Sequence, residues 1–391
     1  MRLKREVEAL GDELIRLRRD FHMYPELGFE EHRTSGIVAS YLENCGLEVQ
    51  RMAKTGVVGL LRGEKPGQTL ILRADMDALP IQEQNNLAYS SRHEGIMHAC
   101  GHDGHTAMLL VAAKILSAHR DKLPGNIKFV FQPNEEDAGA YLMVEEGVMD
   151  NPAVDAAAGA HLWSALDTGV IDICEGPVMA ASHYFYLTVK GVGGHAGYVD
   201  KAVDPIMVSS ALIQAVQAMQ TRELDALQPV AIVFTRIKAG FNTTIIPETA
   251  ELEGSIRFLS ADGAAIKDRF ERVISHVCSA HRAEYNLSYK VGNEMLANEP
   301  EMTALARRAA VECLGSDSSL TAGLRSMSGE DFSEFAARVP AVFYFIGSGS
   351  RKKKTDYSHH HPCFNLDEEA LLIGTEMHVR TAFIYFGLDQ D

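Results

Sequence analysis

A chain of 391 residues exceeds the ~250–300 residues at which a single hydrophobic core usually stops growing, so two domains are expected. Fifty-three acidic against 37 basic residues leave a formal net charge of −16, which repels nucleic acid and anionic membrane surfaces and argues against either as a partner. Hydrophobic residues make up 46% of the chain and no Ser, Gln or Pro tract dilutes them, which excludes long disorder.

The opening stretch MRLKREVEALGDELIRLRRDF mixes charge with apolar residues at helical spacing and lacks the unbroken apolar core of a secretory leader. Helices are predicted over Glu6–Arg19 and Glu31–Asn44, the second ending at Gly46. Val57–Leu61 and Leu70–Ala74 then predict strands, Thr106–His119 a helix, Ile127–Phe131 a strand, Ala138–Glu146 a helix and Ala156–Ala160 a strand. Strands apolar throughout and separated by helices imply an α/β fold whose central sheet is mostly parallel and flanked by helices.

From His183 to Val291 the order changes. Strand Tyr184–Val189, helix Pro205–Gln220, strands Val230–Ile237 and Thr249–Phe258, helix Ala264–Ala280 and strand Tyr285–Val291 spell βαββαβ, the pattern of a two-layer, ferredoxin-like domain. The first pattern then resumes, with helices at Met302–Leu314 and Asp331–Arg338, a strand at Ala341–Ile346 and a long helix at Asp367–Phe386. A discontinuous main domain, residues 1–181 and 292–391, is therefore expected around an inserted domain, residues 182–291.

The longest apolar runs, such as Ala107–Ala113, fall short of the ~20 residues that cross a bilayer. Six cysteines scattered without a pairing pattern suit a reducing, cytoplasmic setting. The basic run Arg351–Lys354 reads as a solvated loop.

Metal-capable residues stand in four clusters placed after predicted strands: Asp75 and Asp77 in LRADMDALP, Cys100 and His102 in MHACGHDGH, Glu135 and Glu136 in FQPNEED, and His161 in GAHLW. In an open α/β sheet, ligands bind beyond the carboxyl ends of strands, so the clusters would converge in one crevice. Each also has a plainer reading. The aspartates suit a turn before Pro80, the acidic run suits a helix start, His161 suits a strand end, and Cys100 can be a small buried hydrophobe.

His93, His98, His102 and His105 around Cys100 are harder to dismiss, because burying several imidazoles without partners is costly. Cys-x-His in an extended turn directs both side chains one way, and thiolate with imidazole suits zinc, manganese, nickel or cobalt better than calcium or magnesium. Asp103 or Thr106 is expected to cap the following helix. A further cluster, His359, His360 and His361, precedes Pro362.

Together these motifs, from HMYPELGFEE at His22–Glu31 to HHPCFNLDEEAL at His360–Leu371, closely resemble the M20 family of metallopeptidases and amidohydrolases, in the branch of hippurate hydrolase, N-acyl-amino acid deacetylases and auxin-conjugate hydrolases. The resemblance implies two divalent metal ions bridged by Cys100, with His102 and His161 completing one site and Glu136 and His360 the other. Among the three adjacent histidines His360 matches the family's H-x-P-x-F ligand, and His359 and His361 are second choices. Three protein ligands per ion leave a position for water, as catalysis requires.

By the same resemblance Glu135 is the general base, Asp77 orients a ligand histidine, and His195 in GVGGHAG stabilises the oxyanion. Asn242 and Arg257 would receive the substrate's carbonyl and carboxylate. The inserted domain would be a lid through which a homodimer or homotetramer assembles. The implied reaction is hydrolysis of a small-molecule N-acyl amino acid by metal-activated water; a dipeptidase or aminopeptidase on the same scaffold, or a non-catalytic metal or metabolite binder, are the alternatives. The segment Tyr198–Lys201 departs from the family's proline and histidine after GGHAG.

Overall fold

Leu70–Leu72 and Ile127–Phe131, apolar in sequence but for Lys128 and almost wholly inaccessible to solvent, lie in the middle of an eight-stranded sheet in the computed structural model of the protein, which describes residues 2–260 and 262–388. Its strands run in the order Glu48–Met52, Gly56–Arg62, Pro124–Gln132, Lys65–Asp75, Ala156–Asp167, Ala341–Gly349, Ile171–Asp172 and Leu320–Thr321. The four central strands are mutually parallel; at one edge Gly56–Arg62 joins them antiparallel, and Glu48–Met52 pairs antiparallel with it in turn. Helices His102–Ala118 and Glu369–Tyr385 are buried along most of their length, which explains why both are apolar nearly all round rather than on one stripe. Each fully buried aliphatic or aromatic side chain there stabilises the fold by about 1.5–3 kcal/mol.

This sheet belongs to a unit made of Met1–Val178, Ala297–Arg325 and Asp331–Asp391, and Met179–Leu296 with Ser326–Glu330 forms a second. The second unit is wider than the 182–291 read from the sequence. The backbone N–H of Ala180 donates to the carbonyls of Ser326 and Ser328, at 3.1 and 3.0 Å, and so ties the later segment to its start. Its sheet is wholly antiparallel, in the order Val230–Ala239, Thr249–Phe258, Ala181–Lys190, Glu284–Asn293, with helices Pro205–Arg222 and Gly263–Ala280 contributing to its core. That is the βαββαβ arrangement.

Three predicted elements change form. The first helix is broken into Arg2–Glu8 and Gly11–Met23. The helix predicted over Ala138–Glu146 is preceded by a single 3-10 turn, Glu135–Asp137, and starts only at Ala140, because Ala138 adopts φ 62°. The helix predicted over Asp331–Arg338 shrinks to Ser333–Ala336.

Candidate metal centre

Loops at the ends of the central strands carry the chemistry. Strand Lys65–Asp75 delivers Asp75 and, two residues on, Asp77. After strand Pro124–Gln132, Asn134 takes φ 53° and turns the chain into Glu135 and Glu136. His161 lies inside strand Ala156–Asp167 rather than after it, since pairing with Ala341–Gly349 continues past Phe345↔His161. Gly101, at φ 97°, caps helix His102–Ala118, so the Cys-x-His turn is left-handed rather than extended. The expected caps have other work: Asp103 Oδ2 accepts from Arg18 and His22, and Thr106 Oγ1 donates to the Asp75 carbonyl at 2.7 Å.

Donor atoms of Cys100, His102 and His161 lie within 4.8 Å of one another, and so do those of Cys100, Glu136 and His360. Cys100 Sγ is 3.5 Å from His161 Nε2, and Glu136 Oε1 is 3.2 Å from His360 Nε2. The neighbouring histidines are occupied elsewhere. His359 Nε2 donates to the Leu162 carbonyl at 3.0 Å, whereas His361 Nδ1 accepts from the Cys363 N–H and its ring stacks on Tyr357. Glu135 forms a third group with His102 and Glu136, its Oε2 3.9 Å from His102 Nε2.

Hydrogen bonding fixes the ring tautomers. His102 Nδ1 meets the Asp77 carbonyl at 2.9 Å and Asp77 Oδ1 at 3.1 Å, so it carries a proton; although burial opposes charge, Asp75 raises the ring well above the usual imidazole range, and an ion at Nε2 would displace the second proton. His161 Nδ1 donates to the Leu162 carbonyl at 2.8 Å, leaving Nε2 turned toward Cys100. His105 also carries its proton on Nδ1, which donates to Asp75 Oδ1 at 2.7 Å, but its Nε2 is taken up by the Leu162 N–H at 2.9 Å. The backbone N–H and C=O of one residue, Leu162, therefore hold three histidines, His105, His161 and His359.

These donors fit a divalent ion. His102 Nε2 is buried and has no hydrogen-bond partner, an orphan that a metal ion would satisfy. Burial and the Glu136 carboxylate push the Cys100 thiol well above its usual range, so its thiolate needs an added positive charge. Burial and His105 hold His161 well below the usual imidazole range and keep it neutral, the form that coordinates. One sulfur, three imidazoles and a carboxylate are a donor set that suits divalent ions.

Asp77 joins both halves, because Oδ1 holds His102 and Oδ2 accepts the Glu136 N–H at 3.1 Å. Asp77→Asn offers only one acceptor oxygen for these two donors. It is expected to weaken metal binding by ~10–100-fold in a chelator-competition titration. Unchanged affinity would leave Asp77 no part in the centre.

His195, Asn242 and Arg257 stand on the second unit. His195 is exposed on the short strand Gly194–His195 and lines an open groove of about 750 Å³ with Gly193, Ile245 and Glu251. Its Nδ1 accepts from the Gly197 N–H at 3.0 Å, so a neutral ring carries its proton on Nε2, ready to donate. Asn242 Oδ1 accepts from the backbone and hydroxyl of Thr244, each at 2.9 Å, which orients its NH2 as a donor. Arg257 directs Nη1 to the Met327 carbonyl at 3.0 Å.

The family model for "Peptidase family M20/M25/M40" matches residues 71–383. Thermostable carboxypeptidase 1 of Saccharolobus solfataricus is 37% identical over 97% of both chains, and the N-acyl-L-amino acid amidohydrolase of Geobacillus stearothermophilus is 40% identical over 76% of this chain and 81% of its own. Among solved structures, the YXEP protein of Bacillus subtilis, described as a dinuclear metal binding peptidase from the M20 family, is 32% identical, superposes with a TM-score of 0.86 and covers 97% of this chain and 99% of its own. Matched by the family model over residues 71–383 and by these relatives over most or nearly all of its length, the chain belongs to peptidase family M20/M25/M40.

Proposed function

We propose that the protein is a two-metal amidohydrolase that cleaves R–CO–NH–CH(R′)–COO⁻ to a carboxylic acid and a free amino acid. The observation that carries this reading is Cys100 at the shared corner of two three-donor groups, with the Glu135 carboxylate beside them. Cys100, His102 and His161 would hold one ion, and Cys100, Glu136 and His360 the other. When bound, the ions supply Lewis acidity toward the substrate carbonyl and toward water. Glu135 takes a proton from the attacking water as its oxygen bonds to the carbonyl carbon, and returns that proton to the nitrogen as the C–N bond breaks. His195 donates Nε2–H to the oxyanion, and Asn242 and Arg257 receive the carbonyl and α-carboxylate.

The acyl reading is supported by the 40% identity to an N-acyl-L-amino acid amidohydrolase, while the 37% identity to a carboxypeptidase supports a second reading, cleavage of peptides with a free amine. Comparing N-acetyl-L-methionine with Ala-Met under Mn²⁺ or Zn²⁺ separates the two. The N-acetyl substrate is expected to give the higher kcat/KM by at least ~10-fold; preference for the dipeptide would transfer the protein to the peptidase reading.

A further inference from the structure

The motif Pro25-Glu26-Leu27-Gly28-Phe29-Glu30-Glu31 supplies none of the metal donors, yet it is built against the loop that carries Glu135. Glu26 accepts the N–H groups of Arg33 and Thr34 at 2.9 and 2.8 Å, and its carbonyl accepts the Ala78 N–H at 2.8 Å, next to Asp77. Glu31 is fully buried. Its Oε1 accepts the Asn134 N–H at 2.9 Å and its Oε2 accepts the Thr55 hydroxyl at 2.5 Å. Gly28 lies so close beneath Asn134 that an added Cβ would stand 1.8 Å from the Asn134 Oδ1.

The held residue is the critical one. Asn134 sits at φ 53°, a left-handed conformation that asparagine tolerates better than most residues, and it immediately precedes Glu135. Ala138, at φ 62°, closes the same turn, and the Gly139 N–H returns to the Asn134 carbonyl at 2.7 Å. Two buried carboxylates thus divide one loop: Asp77 holds the N–H of Glu136, and Glu31 holds the N–H of Asn134. The Glu136 anchor does not pass through Glu31.

We propose that Glu31 is a positioning residue that acts through Asn134 to aim the Glu135 carboxylate, independently of metal retention; this rests on the reading of Glu135 as the base. Removing the acceptor leaves Asn134 without its restraint, and an ångström of drift in a reacting group costs ~10²-fold in rate. Glu31→Gln keeps an oxygen for Asn134, and Glu31→Leu keeps none. The test compares both, and Gly28→Ala, in the full-length metal-loaded protein with N-acetyl-L-methionine, measuring kcat, KM, bound metal and thermal midpoint.

Glu31→Leu is expected to lower kcat ~10–100-fold, with KM within about threefold and metal content unchanged, and Glu31→Gln to recover most of the loss. A purely structural role would lower the thermal midpoint and leave kcat at 25 °C intact. The proposal is overturned if Glu31→Leu keeps kcat within about threefold, if metal is lost along with activity, or if Glu31→Gln fails to rescue. Should Glu31→Leu fail to fold, Gly28→Ala, which presses on Asn134 from the other side, must show the same kcat-only loss. Glu135→Gln is the control: if it leaves kcat intact the base assignment has failed, and if it abolishes turnover while Glu31→Leu does not, only the positioning role has.

Discussion

Glu135→Gln is expected to lower kcat by roughly 10²–10⁴-fold, equivalent to about 3–5 kcal/mol of transition-state stabilisation, with metal content by elemental analysis unchanged. The substitution preserves volume and one oxygen, so the turn Glu135–Asp137 keeps its packing and its backbone bonds. It removes the negative charge, and with it the capacity to accept and return a proton. The control within the prediction is metal content, because Glu135 also lies in a donor group with His102 and Glu136 and its carboxylate is 3.9 Å from the orphaned His102 Nε2. If an ion departs with the activity, Glu135 is a ligand and the base lies elsewhere. If metal stays and turnover persists, the hydrolytic role of Glu135 is lost outright.

Periodicity made the strands and helices readable because burial on two faces demands continuous apolar runs, as in Leu70–Leu72, and burial on one stripe demands helical spacing. What it could not reveal was backbone conformation set by tertiary contacts. Ala138 is a strong helix former whose φ of 62° is imposed by the turn around Asn134, so propensity misplaced the start of that helix. Among His359, His360 and His361 the H-x-P-x-F resemblance already singled out His360, and the fold adds where its neighbours go: the Leu162 carbonyl takes His359 and the Cys363 N–H takes His361. The supports of the site were the least visible. Glu31 sits in a run of polar residues where nothing signals burial, although Arg73, a cation inside the apolar strand LILRAD, did carry a signal: a charge there needs buried partners.

Arg73→Met is expected to destabilise the protein by about 3–5 kcal/mol and to lower its thermal midpoint by roughly 10 °C, the largest stability loss of any single ion pair considered. Arg73 is buried and donates to Asp75 at 2.7 Å, to Gln132 at 2.9 Å and to Asp331 at 3.0 Å. Asp331 in turn accepts Gln132 and the Ala140 N–H, at the start of the helix after the base loop. Methionine fills the volume but leaves two buried carboxylates short of a cation. The exposed pair Arg62–Glu48, with side chains 52% and 62% accessible, provides the contrast: Arg62→Met should cost under ~1 kcal/mol, since solvent screens it. The pH dependence carries a sign. Burial opposes ionisation of Asp75, but His102, His105 and Arg73 outweigh it and hold the carboxyl well below its usual range, so its contribution is complete above the unfolded-state value of about 3.9 and fades as pH falls. The penalty of Arg73→Met should therefore be largest near neutrality and narrow below about pH 4, where the stranded carboxyls take up protons. Thermal unfolding of wild type and both variants from pH 7 down to about pH 3 measures it, and a midpoint for Arg73→Met within 2 °C of wild type at pH 7 would remove this network from the forces that hold the strand ends together.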